Sequence, residues 1–365
     1  MQSFFFTRMW HLFKIKYPET SCTYEQYRVV FVSNFNLSFG KPKVDICSYC
    51  TGQKNLIEST ADEDVRKVIL KELMDHSEEA AKFHTLLKME EENVVTISFD
   101  LMQNQVLPKT PIGEAYYSRQ IYQYFLGVVR HENGIQTKDH VTFYSWGEYE
   151  APRGANEIAS SIYHYLSTSL PPQTSRIRLF CDACPGQNRN YVMLCMLSCF
   201  SSMHTIPISV YFPVRGHSYM PPDRVFGRVE QILRRQATIL LPQEYFQTFK
   251  EVGQLVQLCE AGHLDWKTFC DTSLRVRKDF RISRARVVDI NKATVQVRET
   301  YEGNISTHSL LAEGKSFLPL QISAVTKKSC VSSVKMENVK KLLKLLSISE
   351  DSNIGQFYGT LEIDE

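Results

Sequence analysis

What most constrains this chain is the succession of short apolar runs and amphipathic stretches between residues 93 and 236. Asn93 to Leu101 is rich in β-branched residues and reads as a strand. Gln120 to Arg130 and Asp139 to Trp146 read the same way, with Asn133-Gly134 as a turn between them, since that dipeptide favours positive φ. Strands and helices then alternate. Ala155 to Ser169 places Ile158, Ile162, Tyr165 and Leu166 on one helical face. Arg176 to Cys181 is a strand, Asn188 to Met203 an apolar helix and Thr205 to Pro213 a strand. Pro222 to Gln236 is a helix with Pro222 suited to its first turn. The order βββαβαβα predicts an α/β fold with a mixed sheet and helices packed on it.

The 365 residues suggest two or three units. We expect a helical N-terminal region over 1–92, a sheet-based domain over 93–250 and a C-terminal region over 251–365. Residues 56–92 form a long helix or helical pair, residues 285–330 a small β unit, and Met336 to Leu346 an amphipathic helix. A composition with 43% hydrophobic and 22% charged residues is that of a globular chain, not a disordered one. With a net charge of +2, any basic surface is local. The ten cysteines are irregularly spaced, which does not suit a disulfide framework. Met1 to Tyr17 is broken by Arg8, His11, Lys14 and Lys16, so it is not read as a signal peptide. No window reaches 18 apolar residues, so no membrane partner is expected and the nucleus or cytoplasm is.

The acids fall at informative places. Asp100 closes the first strand and Asp182 the fourth, and ligands in open α/β sheets gather beyond the carboxyl ends of strands. Asp223 starts the helix after the fifth strand, Glu230 lies two turns along it, and Glu157 opens the helix after the third strand. Converging carboxylates are what a pair of Mg²⁺ or Mn²⁺ ions needs for phosphodiester chemistry. Plainer roles exist for each. Asp100 could be a turn residue, and Asp223 an acid at a helix N-terminus. Glu230 is best read as pairing with Arg234 at i+4, and Glu157 as an N-terminal helix acid.

Several motifs together give the chain a resemblance. They are Ser98-Phe99-Asp100-Leu101 with Leu107-Pro108, Cys181-Asp182-Ala183-Cys184-Pro185-Gly186-Gln187-Asn188-Arg189-Asn190, Gly216-His217-Ser218, and Pro222-Asp223-Arg224-Val225-Phe226-Gly227. Arg153 to Ile158 and Phe35 to Pro42, with Cys47 and Cys50, also fit. From about residue 25 onward the chain resembles a family of transposon-derived proteins that carry an RNase H-like, DDE-transposase-type domain of unknown function. The βββαβαβα order is the one found in such domains. The resemblance implies Asp100, Asp182 and Asp223 as the acidic triad, with Gln187, Asn188 and His217 near it. The stretch Ala183-Cys184-Pro185 departs from the family's more usual Ser/Asn-Cys/Ser-Gly.

Two further clusters bear on partners. Cys47-x2-Cys50 is half a zinc site, which His76, His84 or Cys22 would have to complete; the rival reading is a pair of free buried thiols. Arg275, Arg277, Lys278, Arg281, Arg284 and Arg286 surround Phe280, and on strands 275/277 and 284/286 would each share a face. They are candidates for contact with a DNA backbone, or else a solvated hairpin paired with Asp271, Asp279 and Asp289. The sequence therefore admits an active DDE-type nuclease or strand-transferase, which would work as a homo-oligomer. It equally admits a domesticated, inactive binding module on the same fold, and less readily a cellular RNase or exonuclease.

Overall fold

The computed structural model describes residues 2–35, 46–132, 137–275 and 281–364. The Asn133-Gly134 turn, most of Phe35 to Pro42, and Arg277 and Lys278 lie outside them. The chain falls into two compact units, Met1–Thr51 and Gly52–Glu365. The first contains α1 (Gln2–Lys16) and α2 (Tyr24–Asn34). Thr23 and Gln26 form a reciprocal capping box at the start of α2. Phe13 meets Tyr27 at 5.2 Å between ring centroids and Phe6 meets Phe31 at 5.3 Å, so aromatic contacts join the two helices. α3 (Ser48–Ser59) begins here and ends in the larger unit.

In the larger unit α4 (Glu63–Lys88) starts at Asp62, whose carboxylate accepts from the amides of Asp64 and Val65. The strands and helices that follow are β1 (Val94–Leu101), β2 (Gln105–Leu107), α5 (Gly113–Tyr117), β3 (Ile121–His131) and β4 (Val141–Gly147). Next come α6 (Ala155–Ser169), β5 (Arg176–Cys181), α7 (Tyr191–His204), β6 (Ile208–Tyr211) and α8 (Pro221–Leu233). The C-terminal part holds α9 (Pro242–Val252), β7 (Gln254–Gln257), α10 (Leu258–Ala261) and α11 (Trp266–Ser273), then β8 (Val287–Asn291), β9 (Thr294–Arg298) and β10 (Ser306–Ser309). α12 (Ser333–Leu345) and α13 (Asn353–Gly359) close it.

The strands make one mixed sheet in the order β10-β9-β8-β6-β5-β1-β3-β4-β7, with β2 paired to β3. β1 runs antiparallel to β3 and parallel to β5, and β5 parallel to β6. The α/β class with a helix-flanked mixed sheet is as expected. One feature differs: β8 pairs with β6, so β8 to β10 lengthen the main sheet instead of forming a small sheet of their own.

Strand alternation sorts the side chains onto two faces. Ile97 and Phe99 of β1 and Ile177 and Leu179 of β5 point to the face covered by α6 and α7, where Ile158, Ile162, Leu194 and Leu197 join them in the largest core. The opposite face carries two smaller cores. Phe125 and Phe143 pack there with Val225 and Val229 of α8, and Phe180 packs with Phe83 of α4. Thr96, Ser98 and Asp100 of β1 belong to that second face by alternation.

Candidate metal and nucleic-acid site

Three registers bring the aspartates together. β1 and β5 pair with Phe99 opposite Cys181, so the next residues, Asp100 and Asp182, lie side by side at the strand spacing of about 4.8 Å. On its other flank Asp100 pairs with Gly127 of β3. A Cβ on Gly127 would stand 2.8 Å from the Phe226 ring, so the missing side chain is what lets α8 approach the sheet there. Asp223 lies three residues before Phe226, about one helical turn back along α8.

Each carboxylate is held locally. Asp100 Oδ1 accepts from the amide of Leu101 at 2.8 Å. Asp182 Oδ1 accepts from the amide of Cys184 at 3.3 Å and from the side-chain amide of Asn188. The Cys184 carbonyl takes the amides of Gln187, Asn188 and Arg189, which folds the 182–189 loop tightly after β5. Asp223 Oδ2 accepts from the Met220 amide at 2.7 Å, the cap geometry of its plainer role.

Burial, then the charges of Asp182 and Asp223, push the Asp100 carboxyl up to about 7. Burial also raises Asp182, against the Cys184 and Asn188 hydrogen bonds and the charges of Arg153 and Arg189. The three carboxylates do not have oxygens all within 4.8 Å of one another. Asp100 is the acid on which the charges of both Asp182 and Asp223 act. Asn188 is 2% exposed and its Oδ1 has no hydrogen-bond partner among the described residues, an unsatisfied buried acceptor beside Asp182. An all-oxygen donor set with excess negative charge and a spare carbonyl oxygen fits a hard divalent cation.

The other predicted residues divide. Gln187 is part of the 182–189 loop. Glu157 is buried and lies 3.0 Å from Nε2 of His263, which gives it a partner of its own. Glu230 pairs with Arg234 at 3.2 Å, as its i+4 spacing suggests. The His217 ring lies against His76, with centroids 5.1 Å apart. Sequence reasoning did not single out Arg153 and Arg189 as charges acting on the acids. Their one signal was position, directly before Glu157's helix and directly after Asn188.

Of the basic cluster, Arg275, Arg281 and Arg284 are exposed. Arg284 lies in a short 3-10 turn, Ile282–Arg284, so a strand face shared with Arg286 does not form. Arg286 donates to the Pro213 carbonyl at 2.5 Å. Asp289 accepts from Arg298 at 2.6 Å.

Cys47 is buried just before α3 and Cys50 stands within its first turn. Cys47 and Cys50 offer two thiols within the first unit, and His76 and His217 lie against each other within the larger one. Among the described residues no helix is long and apolar enough to cross a membrane. Compared with known proteins, the chain matches no family model and no curated protein.

Proposed function

We propose that the larger unit is an RNase H-like, transposase-derived domain that acts on DNA phosphodiesters with two divalent cations, Mg²⁺ or Mn²⁺. The observation that carries this reading is Asp100 flanked by Asp182 and by the helix bearing Asp223. The central strand order β4-β3-β1-β5-β6, with β3 antiparallel to β1, supports the fold assignment. Asp100, Asp182 and Asp223 would hold the cations, with Asn188 Oδ1 as a further oxygen donor beside Asp182. Bound there, the cations would activate water or a DNA 3′-hydroxyl and neutralise charge on the phosphate. The chain's own contribution is positional: the 182–189 loop fixes Asp182, the α8 cap fixes Asp223, and Arg153 stands ready for the phosphate.

Arg275, Arg281 and Arg284 offer contact to the DNA backbone, the protein acts in the nucleus, and strand transfer requires a homo-oligomer. A structural Zn²⁺ accompanies this reading, with Cys47 and Cys50, spaced as half a zinc site, as two of its ligands. The rival reading is a domesticated, inactive module that keeps the fold.

The test is a nicking assay on supercoiled DNA, with an RNA–DNA hybrid as comparison, in Mg²⁺ and in Mn²⁺. DNA nicking that disappears in both Asp182→Asn and Asp223→Asn supports the proposal. Preference for the hybrid indicates a cellular RNase, and no cutting with either substrate indicates the inactive module.

A further inference from the structure

The sheet face that carries Asp100 also carries a second feature, a pocket of about 640 Å³ between the end of α4 and the start of α8. Its size is that of a site for one small organic ligand. Thr96, two alternations down β1 from Asp100, lines it, as does Arg224, the neighbour of Asp223. Thr96 and Asp100 are about 13 Å apart along the strand, at about 3.3 Å per residue. The pocket therefore adjoins the acids.

Its chemistry is layered. Leu87, Val94, Val129, Met220 and Pro221 supply apolar wall for a flat ring. Thr96 and His131 supply polar groups beside that wall. His131 Nε2 lies 2.9 Å from Ser98 Oγ, and burial, then the charge of Arg224, lowers the His131 ring to about 4. It is a neutral imidazole near pH 7, able to serve as donor or acceptor without adding charge. Lys88, Arg130 and Arg224 stand around it, and Arg130 keeps a buried Nε with no hydrogen-bond partner among the described residues. Two of the pocket's carboxylates already have partners: Glu132 lies 3.3 Å from Arg130 and 3.1 Å from His140, and Glu91 lies 3.2 Å from Arg178. Tyr219, 62% exposed, stands at the rim.

We infer that this pocket takes one nucleotide of the bound strand out of its stack. The base lies on the apolar wall against Tyr219, its edge meets Thr96 and His131, and its phosphate meets Arg224. This deepens the proposed function and rests on nucleic acid being the substrate. Base–aromatic stacking and a cationic rim are the two elements that hold single-stranded nucleic acid without demanding sequence. Placing a base here would fix the register of the strand relative to the acids, which sets the phosphate that is cut.

The experiment uses full-length Asp182→Asn protein, so that no strand is cut, and single-stranded DNA carrying 2-aminopurine at successive positions. Binding is followed by anisotropy of a terminal dye, and unstacking by 2-aminopurine fluorescence. A fluorescence change confined to one position, lost in Tyr219→Ala and Arg224→Ala with a fall in affinity of about 5- to 100-fold, supports the inference. Both side chains are exposed, so neither change threatens the fold. Anisotropy showing tight binding with the same fluorescence response at every position overturns the pocket assignment and leaves the proposed function standing. No binding to DNA at all overturns both.

Discussion

The side-chain amide of Asn188 donates to Asp182 Oδ1, and this leaves Asn188 Oδ1 buried with no partner among the described residues. The bond orients a carboxamide so that its oxygen is the unsatisfied atom of the site. Asn188→Asp would add a negative charge at that atom, and Asn188→Ala would remove the proposed oxygen donor and free Asp182 to rotate. We predict that Asn188→Ala weakens Mn²⁺ binding by about 10- to 100-fold with little change in melting temperature, the size of effect seen when a group that orients a metal ligand is lost. Titration calorimetry reads it.

Asp100 makes metal-free stability depend on pH with a definite sign. Its carboxyl is raised to about 7 in the fold, above its ordinary value. Between those values the folded protein binds more protons than the unfolded chain, so stability falls as pH rises. The protonated form's contribution is fully present near pH 4 and lost by about pH 7, a change of roughly 4 kcal/mol at about 1.4 kcal/mol per pH unit. Asp100→Asn removes this slope. The check is thermal unfolding of both proteins at pH 4 to 8, with the difference between them isolating Asp100.

Gly127 couples the sheet to the helix that carries Asp223. Gly127→Ala forces a Cβ against the Phe226 ring, and an overpacked contact of this kind costs about 1–3 kcal/mol. The expected result is a lower melting temperature together with loss of metal binding, because α8 must move and Asp223 moves with it. Phe226→Leu in the same chain should recover part of both.

Glu157 and His263 test the boundary of the site. The pair is buried, with side chains 2% and 6% exposed. Removing His263 leaves the buried Glu157 side chain without its polar neighbour, so His263→Ala should destabilise by about 1–3 kcal/mol. Glu157→Gln, which keeps the side chain's shape, should leave Mn²⁺ affinity unchanged within a factor of two or so. A large loss of affinity in Glu157→Gln would instead add Glu157 to the site.

The elements legible in the sequence were those whose signal is local. Ala155 to Ser169 reads as a helix from its apolar spacing, and α6 has those bounds. β1 and β5 announce themselves through β-branched and apolar runs. β2 and β7 are three and four residues long, too short to show a period, and each exists only through its partner strand. The β8 to β10 segment was legible as strands but not as an extension of the main sheet, because the β8–β6 pairing joins residues about 80 apart. Within the site, the strand-end positions of Asp100 and Asp182 were visible. The partners of Glu157 and His217 were not, since His263 and His76 are more than 100 residues distant and no local pattern points to them.

The central claim is that Asp100, Asp182 and Asp223 share cations. Calorimetric titration of the full-length protein with Mn²⁺ at pH 7.5 tests it most directly. Saturable binding near two equivalents, falling at least about tenfold in affinity in Asp100→Asn and losing one equivalent in Asp182→Asn or Asp223→Asn, is the predicted result. No binding by the unaltered protein, or the same isotherm from all three variants, would contradict it.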